Sequence, residues 1–183
     1  MVKKSEENFL RVIGVAGTRE ILQFLSGHET VHYKELDEFI NTDTLNFRLR
    51  DLLRYNLVEH HFLRGDERGE WYTITDRGRK FLNCIEKCVS LVEDEPEFLK
   101  FIGSKGPREV LLFLRERGQV QYKDFNVSVS VPTLNNRLSR LLDFYLVDHH
   151  FQKKPKRREW YEITEKGIRI SEYLEDLVKL ADE

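Results

Sequence analysis

Cysteine is nearly absent: two in 183 residues, Cys84 and Cys88, too few for a disulfide framework and in keeping with a reducing compartment. Nowhere does an apolar run approach the 18 or so residues a transmembrane helix needs, and the Met-Val-Lys-Lys-Ser-Glu start has no secretory h-region. A cytoplasmic protein without membrane partners is expected. There is also no glycine-rich phosphate loop, no nucleophile elbow and no acidic cluster with metal-ligand spacing. The expectation is therefore no enzyme, no cofactor and no metal. A single Met, few Gln and 34% charged residues lean towards a thermophilic composition.

What the chain does contain, it contains twice. Shifting Gly17 to Phe81 forward by 89 positions onto Gly106 to Ile170 makes 28 of 65 positions identical without a gap. Such self-similarity defines the architecture. Arg19-Glu20-Ile21-Leu22 matches Arg108-Glu109-Val110-Leu111, and upstream Phe9-Leu10-Arg11-Val12-Ile13-Gly14 mirrors Phe98-Leu99-Lys100-Phe101-Ile102-Gly103. Each unit thus begins with a short amphipathic helix near residue 7 or 96. The expected division is a first domain at 1–92, a short acidic linker at 93–96 and a second domain at 97–183. So short a joint excludes a flexible tether, so the units should touch.

The net charge of −2 conceals an uneven distribution. Gly17 to Phe81 has 10 Lys and Arg against 12 Asp and Glu, whereas Gly106 to Ile170 has 13 against 8, balances of −2 and +5. Acid gathers in the joint and the C-terminal tail, and the second unit is basic.

The periodicity changes in a fixed order within each unit. Ile21, Leu22, Phe24 and Leu25 suit a first helix; extended Val31-His32 leads to a second, around 34–40. Thr42 or Asp43 can cap a third, and Ser130 before Val131-Pro132 marks its equivalent. Leu45, Leu49, Leu52 and Leu53, repeated as Leu134, Leu138, Leu141 and Leu142, give that helix a core face. Val58 to Phe62 and Glu70 to Thr75 flank a polar turn and predict a β-hairpin, repeated between Val147 and Thr164. A last helix begins at Asp76 or Glu165. The fold class expected is mainly α with small β-hairpins (α+β), arranged as two tandem winged helix-turn-helix domains.

At Thr44-Leu45-Asn46-Phe47-Arg48-Leu49-Arg50-Asp51-Leu52, Leu57-Val58 and Tyr72-Thr73-Ile74-Thr75-Asp76-Arg77-Gly78, with second copies at Thr133 to Leu138, Leu146-Val147 and Tyr161 to Gly167, the chain resembles the HxlR and MarR type winged-helix transcription regulators. The resemblance covers nearly the whole chain. It implies a Tyr-x-Leu-Thr-x-x-Gly element closing the wing and opening the final helix, and a DNA-binding third helix. The family usually has Gly just before the Leu-Val pair, where this chain has Asn56 and Tyr145. Asn tolerates a left-handed turn, whereas Tyr incurs a steric penalty, so the exit from the second of these helices is expected to differ from the family pattern.

On a helical wheel, the face opposite the leucine stripe carries Asp43, Phe47, Arg50, Asp51 and Arg54, flanked by Thr44, Asn46 and Arg48; in the second copy it carries Pro132, Asn136, Ser139, Arg140 and Asp143, with Thr133, Asn135 and Arg137 at the edges. In a major groove, Arg can bond guanine O6 and N7, and Asn adenine N6 and N7. The alternatives are that Arg48 and Arg137 pair with Glu20 and Glu109, and that Asn46 and Asn135 cap or pack. The hairpin tips differ most. Lys153, Lys154, Lys156, Arg157 and Arg158 form a cationic tip suited to phosphates, while the first tip, which includes Arg68, sums to zero.

His60-His61 and His149-His150 lie on strands where neighbours point to opposite faces, so neither pair readily chelates one ion; one ring packed and one at the surface is expected. Apolar counterparts make Cys84 and Cys88 buried packing positions, and Trp71 and Trp160 read as hairpin and core anchors. The function expected is a transcription regulator or chromatin-associated, nucleoid-bound factor on double-stranded DNA, working as a monomer or homodimer. The alternative is a tandem winged-helix scaffold of the condensin-accessory or polymerase-associated type, with the first domain on a protein partner.

Overall fold

The computed structural model describes residues 4–63, 69–93, 95–155 and 157–181, without the side chain of residue 95. The first repeat runs α1 (Lys4–Arg11), a 3-10 turn (Val12–Gly14), α2 (Thr18–Ser26), α3 (Tyr33–Asp37), α4 (Thr42–Arg54), β1 (Val58–Leu63), β2 (Gly69–Ile74) and α5 (Asp76–Val89). The second runs α6 (Glu95–Ile102), α7 (Pro107–Arg117), a 3-10 turn (Tyr122–Asp124), α8 (Val131–Asp143), β3 (Val147–Gln152), β4 (Arg158–Ile163) and α9 (Glu165–Ala181). The chain is mainly helical, with two small antiparallel sheets, β1-β2 and β3-β4. Val31 and Val120 each add a bridge to the hairpin, exchanging both backbone hydrogen bonds with Tyr72 and Tyr161. No helix among the described residues is long and apolar enough to cross a membrane.

The leucine stripe is core: Leu45, Leu49 and Leu52 are buried, as are Leu134, Leu138 and Leu141, although Leu53 comes out 36% exposed at the edge. The first of these helices is capped one residue earlier than the sequence indicated, Asn41 accepting from Thr44 N at 3.0 Å; Ser130 caps the second from Thr133 N. α3 is fixed by a capping box, in which the His32 backbone N–H donates to Glu35 Oε2 at 2.7 Å. The second repeat has Asp124 in that position and then alternates β-branched residues with serines. It forms only the 3-10 turn, and Glu109 takes hydrogen bonds from Ser128 N and Oγ, both at 2.6 Å.

Both long helices end in the same way. Asn56 (φ 54°) and Tyr145 (φ 56°) are left-handed, and the following leucines donate back to Leu52 O and Leu141 O at 2.9 Å, a Schellman ending. The exit at Tyr145 thus matches that at Asn56 despite the steric penalty of Tyr: the hydrogen bonds that close the helix outweigh the strain of one side chain. Tyr145 is 74% exposed and gains little packing in return. Tyr145→Gly is expected to raise stability by about 0.5–1 kcal/mol, read as a higher urea midpoint at unchanged m-value.

Thr75 and Thr164 then knit helix end, hairpin and final helix together. Thr75 Oγ1 donates to Asn56 O at 2.8 Å and accepts from Gly78 N at 2.9 Å; Thr164 does the same with Tyr145 O at 2.9 Å and Gly167 N at 3.0 Å.

The repeats meet reciprocally. A Cβ on Gly14 would lie 2.7 Å from Leu99 O, and one on Gly103 would lie 2.8 Å from Leu10 O. These pairs interchange under the 89-residue shift, the signature of an approximate two-fold axis. α5 packs on its own counterpart α9, and α1 on α9 as well. Phe9 stands edge-on to Tyr55 at 5.2 Å and 77°, and Phe98 to Phe144 at the same distance and angle. Glu6 reaches across to Arg108 at 3.2 Å, where Arg108 also holds Glu175 at 2.8 Å, and Glu7 reaches Lys105 at 3.6 Å. One continuous apolar core results. Cys84 and Cys88 are buried within it, and burial raises both thiols, Cys88 to about 12.

Candidate nucleic-acid interface

On α4, the core stripe leaves Asn46, Phe47, Arg50 and Arg54 exposed. Phe47 is 52% exposed, and the Arg50 guanidinium lies over its ring at 4.8 Å, while Arg54 lies over Tyr55 at 5.7 Å. Thr44 is half-buried. On α8, Asn135 and Asn136 are exposed and Thr133 half-buried, with its hydroxyl 2.8 Å from Ser130 Oγ.

Arg48 and Arg137 do not lie with the outward set. Arg48 Nε donates to Ala16 O at 3.1 Å and Nη1 to Asp51 at 3.2 Å; Arg137 Nε donates to Lys105 O at 2.9 Å and Nη1 to Asn136 Oδ1 at 2.9 Å. Each is half-buried and ties the long helix to the turn before α2 or α7. The alternative pairing with Glu20 and Glu109 is not the one made: these guanidinium groups bond the backbone carbonyls of Ala16 and Lys105 instead. Burial lowers the Arg137 pKa. Arg140 is half-buried too, 4.9 Å over the Phe144 ring and 3.6 Å from Glu97.

Lys153, Lys154, Arg157 and Arg158 are exposed on the second hairpin, and none of the four pairs with a described carboxylate. Arg157 lies over Phe151 at 5.5 Å and Arg158 over Trp160 at 5.2 Å. Arg68 and Lys156 lie outside the described residues.

The histidines differ from the one-in, one-out expectation, because all four stack on aromatic rings. The cross-strand register puts His60 opposite Tyr72 and His61 opposite Trp71, with rings 4.7 and 5.3 Å apart; His149 and His150 repeat this at 4.6 and 5.1 Å. His60 Nε2 meets Glu70 Oε1 at 2.8 Å and His149 Nε2 meets Glu159 Oε1 at 2.8 Å. Among the described residues no three His, Cys, Asp or Glu groups converge as a metal site. Burial raises Tyr72 to about 12, with help from Glu70.

Sequence reasoning missed one group. Gln121, Tyr122 and Lys123 line a cleft together with Asn135, Arg157, Arg158, Glu159 and Tyr161. The matched Tyr33-Lys34 and Tyr122-Lys123 pairs were visible as repeats, but not that the second pair begins a 3-10 turn. No family model and no curated protein matches this chain.

Proposed function

We propose that the chain is a DNA-binding transcription regulator or chromatin-associated factor in which two tandem winged helices act as a built-in pseudo-dimer on duplex DNA. The observation carrying this reading is the reciprocal Gly14 and Gly103 contact, which relates the two repeats by an approximate two-fold axis, while the polar faces of α4 and α8 stay exposed. Paired helices so related suit half-sites about 10 base pairs apart. The differing side chains on the two faces suit an imperfect palindrome, and the resemblance to the HxlR and MarR type regulators agrees. Electrostatics assign the larger share of affinity to the second unit, where the described tip cations have no carboxylate partner. α5 and α9, the final helices, already pack on each other, which favours a monomer over a homodimer.

A second reading has its own support. Phe47, Phe62 and Leu63 are 52%, 58% and 53% exposed in the first repeat, and apolar groups around a near-neutral hairpin suit a protein groove. Titration into a labelled generic duplex at low and moderate salt separates the two. Binding that weakens steeply with salt is expected for the DNA reading; no anisotropy change even at low salt would leave the protein scaffold.

A further inference from the structure

The two repeats treat one cleft differently. In the first, Tyr33 OH donates to Asn46 Oδ1 at 3.0 Å and His32 Nδ1 lies 2.6 Å from Glu70 O. These bonds sew α3, α4 and the hairpin together and engage the Tyr33 hydroxyl proton and the Asn46 amide oxygen. In the second, Gln121 replaces His32, and among the described residues neither Gln121, Tyr122 nor Asn135 makes a side-chain hydrogen bond. The cleft stands open. Lys123 from the 3-10 turn and Arg157 and Arg158 from the start of β4 line it together with Asn135 and Tyr122. Its one carboxylate, Glu159, is engaged by His149 at 2.8 Å. Gly69 occupies the position equivalent to Arg158, so the first repeat lacks that cation altogether.

We propose that this second-repeat cleft is a phosphate seat: Lys123 from the 3-10 turn and Arg158 from β4 hold one phosphodiester of a duplex, with the Asn135 amide and Tyr122 hydroxyl as neutral donors, and the first repeat has no working equivalent. Cationic side chains supplied by two elements to one cleft can give charge-assisted hydrogen bonds to a tetrahedral anion. The neutral donors add direction. Identification of the anion as a DNA phosphate rests on the function proposed above; the shared chemistry, a phosphate oxyanion, would also admit a free polyphosphate. One chain then grips DNA unequally, through the downstream repeat.

The test compares Lys123→Ala and Arg158→Ala with Lys34→Ala, the equivalent of Lys123 in the closed cleft. All three residues are exposed, and circular dichroism checks folding. Against a labelled duplex, each cleft substitution is expected to weaken binding several-fold and flatten the plot of log affinity against log salt by about 0.9, while Lys34→Ala changes neither. Calorimetry with inorganic pyrophosphate is the second arm. If the wild type binds duplex and Lys123→Ala leaves affinity and slope intact, the seat is overturned while the DNA reading survives. If duplex does not bind but pyrophosphate does, and Lys123→Ala abolishes it, the seat is supported with a free anion as ligand and the DNA reading falls. Binding of neither overturns both.

Discussion

Gly167→Ala is expected to cost about 3 kcal/mol of stability and to lower the melting temperature by roughly 6–12 °C. An added Cβ would land on the Leu146 carbonyl oxygen, with Ile163 Cγ1 2.8 Å away on another side. Neither obstacle is the loose end of a long side chain. Leu146 O already accepts from Thr164 N at 3.1 Å, and Leu146 N closes the α8 ending on Leu141 O at 2.9 Å, so the backbone cannot retreat without breaking both. Gly78 has the same relation to Leu57, and Gly78→Ala should behave alike. Gly69→Ala is the control, because nothing lies within 4 Å of its added methyl. Thermal unfolding followed by circular dichroism distinguishes them; a Gly167→Ala protein melting within a degree or two of wild type would show that the final helix does not approach this strand so closely.

The largest effect on binding is expected at the second hairpin. Converting Lys153, Lys154, Lys156, Arg157 and Arg158 together to alanine should flatten the salt dependence of duplex affinity by about 0.9 for each phosphate no longer neutralised, up to about 4.5 if all five cations engage. The four described cations are exposed and free of described carboxylates, so their removal breaks no ion pair within the fold. Stability should therefore be nearly unchanged. Equal slopes for the variant and wild type would remove the hairpin from the proposed interface, whatever the absolute affinity.

Much of the fold could be read from residue patterns. The duplication placed the helix pairs α1 and α6, α2 and α7, α4 and α8, and α5 and α9, and the leucine spacing chose the buried face of α4 and α8 because a 3.6-residue period leaves little freedom. Ser130 before Val131-Pro132 marked a helix start correctly, since a hydroxyl cap and a proline in the first turn act locally. Three features were not legible. Asn41 capped where Thr42 or Asp43 was expected, because several adjacent residues had the chemistry and only backbone geometry selects one. The α3 equivalent dissolved into a 3-10 turn, where losing Glu35 and His32 removed a capping box whose value depends on both partners. Arg48 and Arg137 turned inward, as a helical wheel gives an angle but cannot show that a carbonyl from a distant turn lies within reach.

The candidate site was legible as chemistry and less so as a surface. Exposed Asn46, Arg50, Asn135 and Asn136 lie where the wheel put them. The bond from Tyr33 to Asn46, and its absence between Tyr122 and Asn135, involves residues identical in both copies. Comparing these two positions alone could not reveal it.

Where Gly14 and Gly103 cross, the joining segment makes the partnership permanent. Two separate subunits would drift apart on dilution, and their occupancy of any shared target would fall with the square of their concentration at the low end. Here the second half is always present at one fixed effective molarity. Assembly contributes no concentration threshold, and each half is free to change its outer face without having to remain a match for an identical copy of itself.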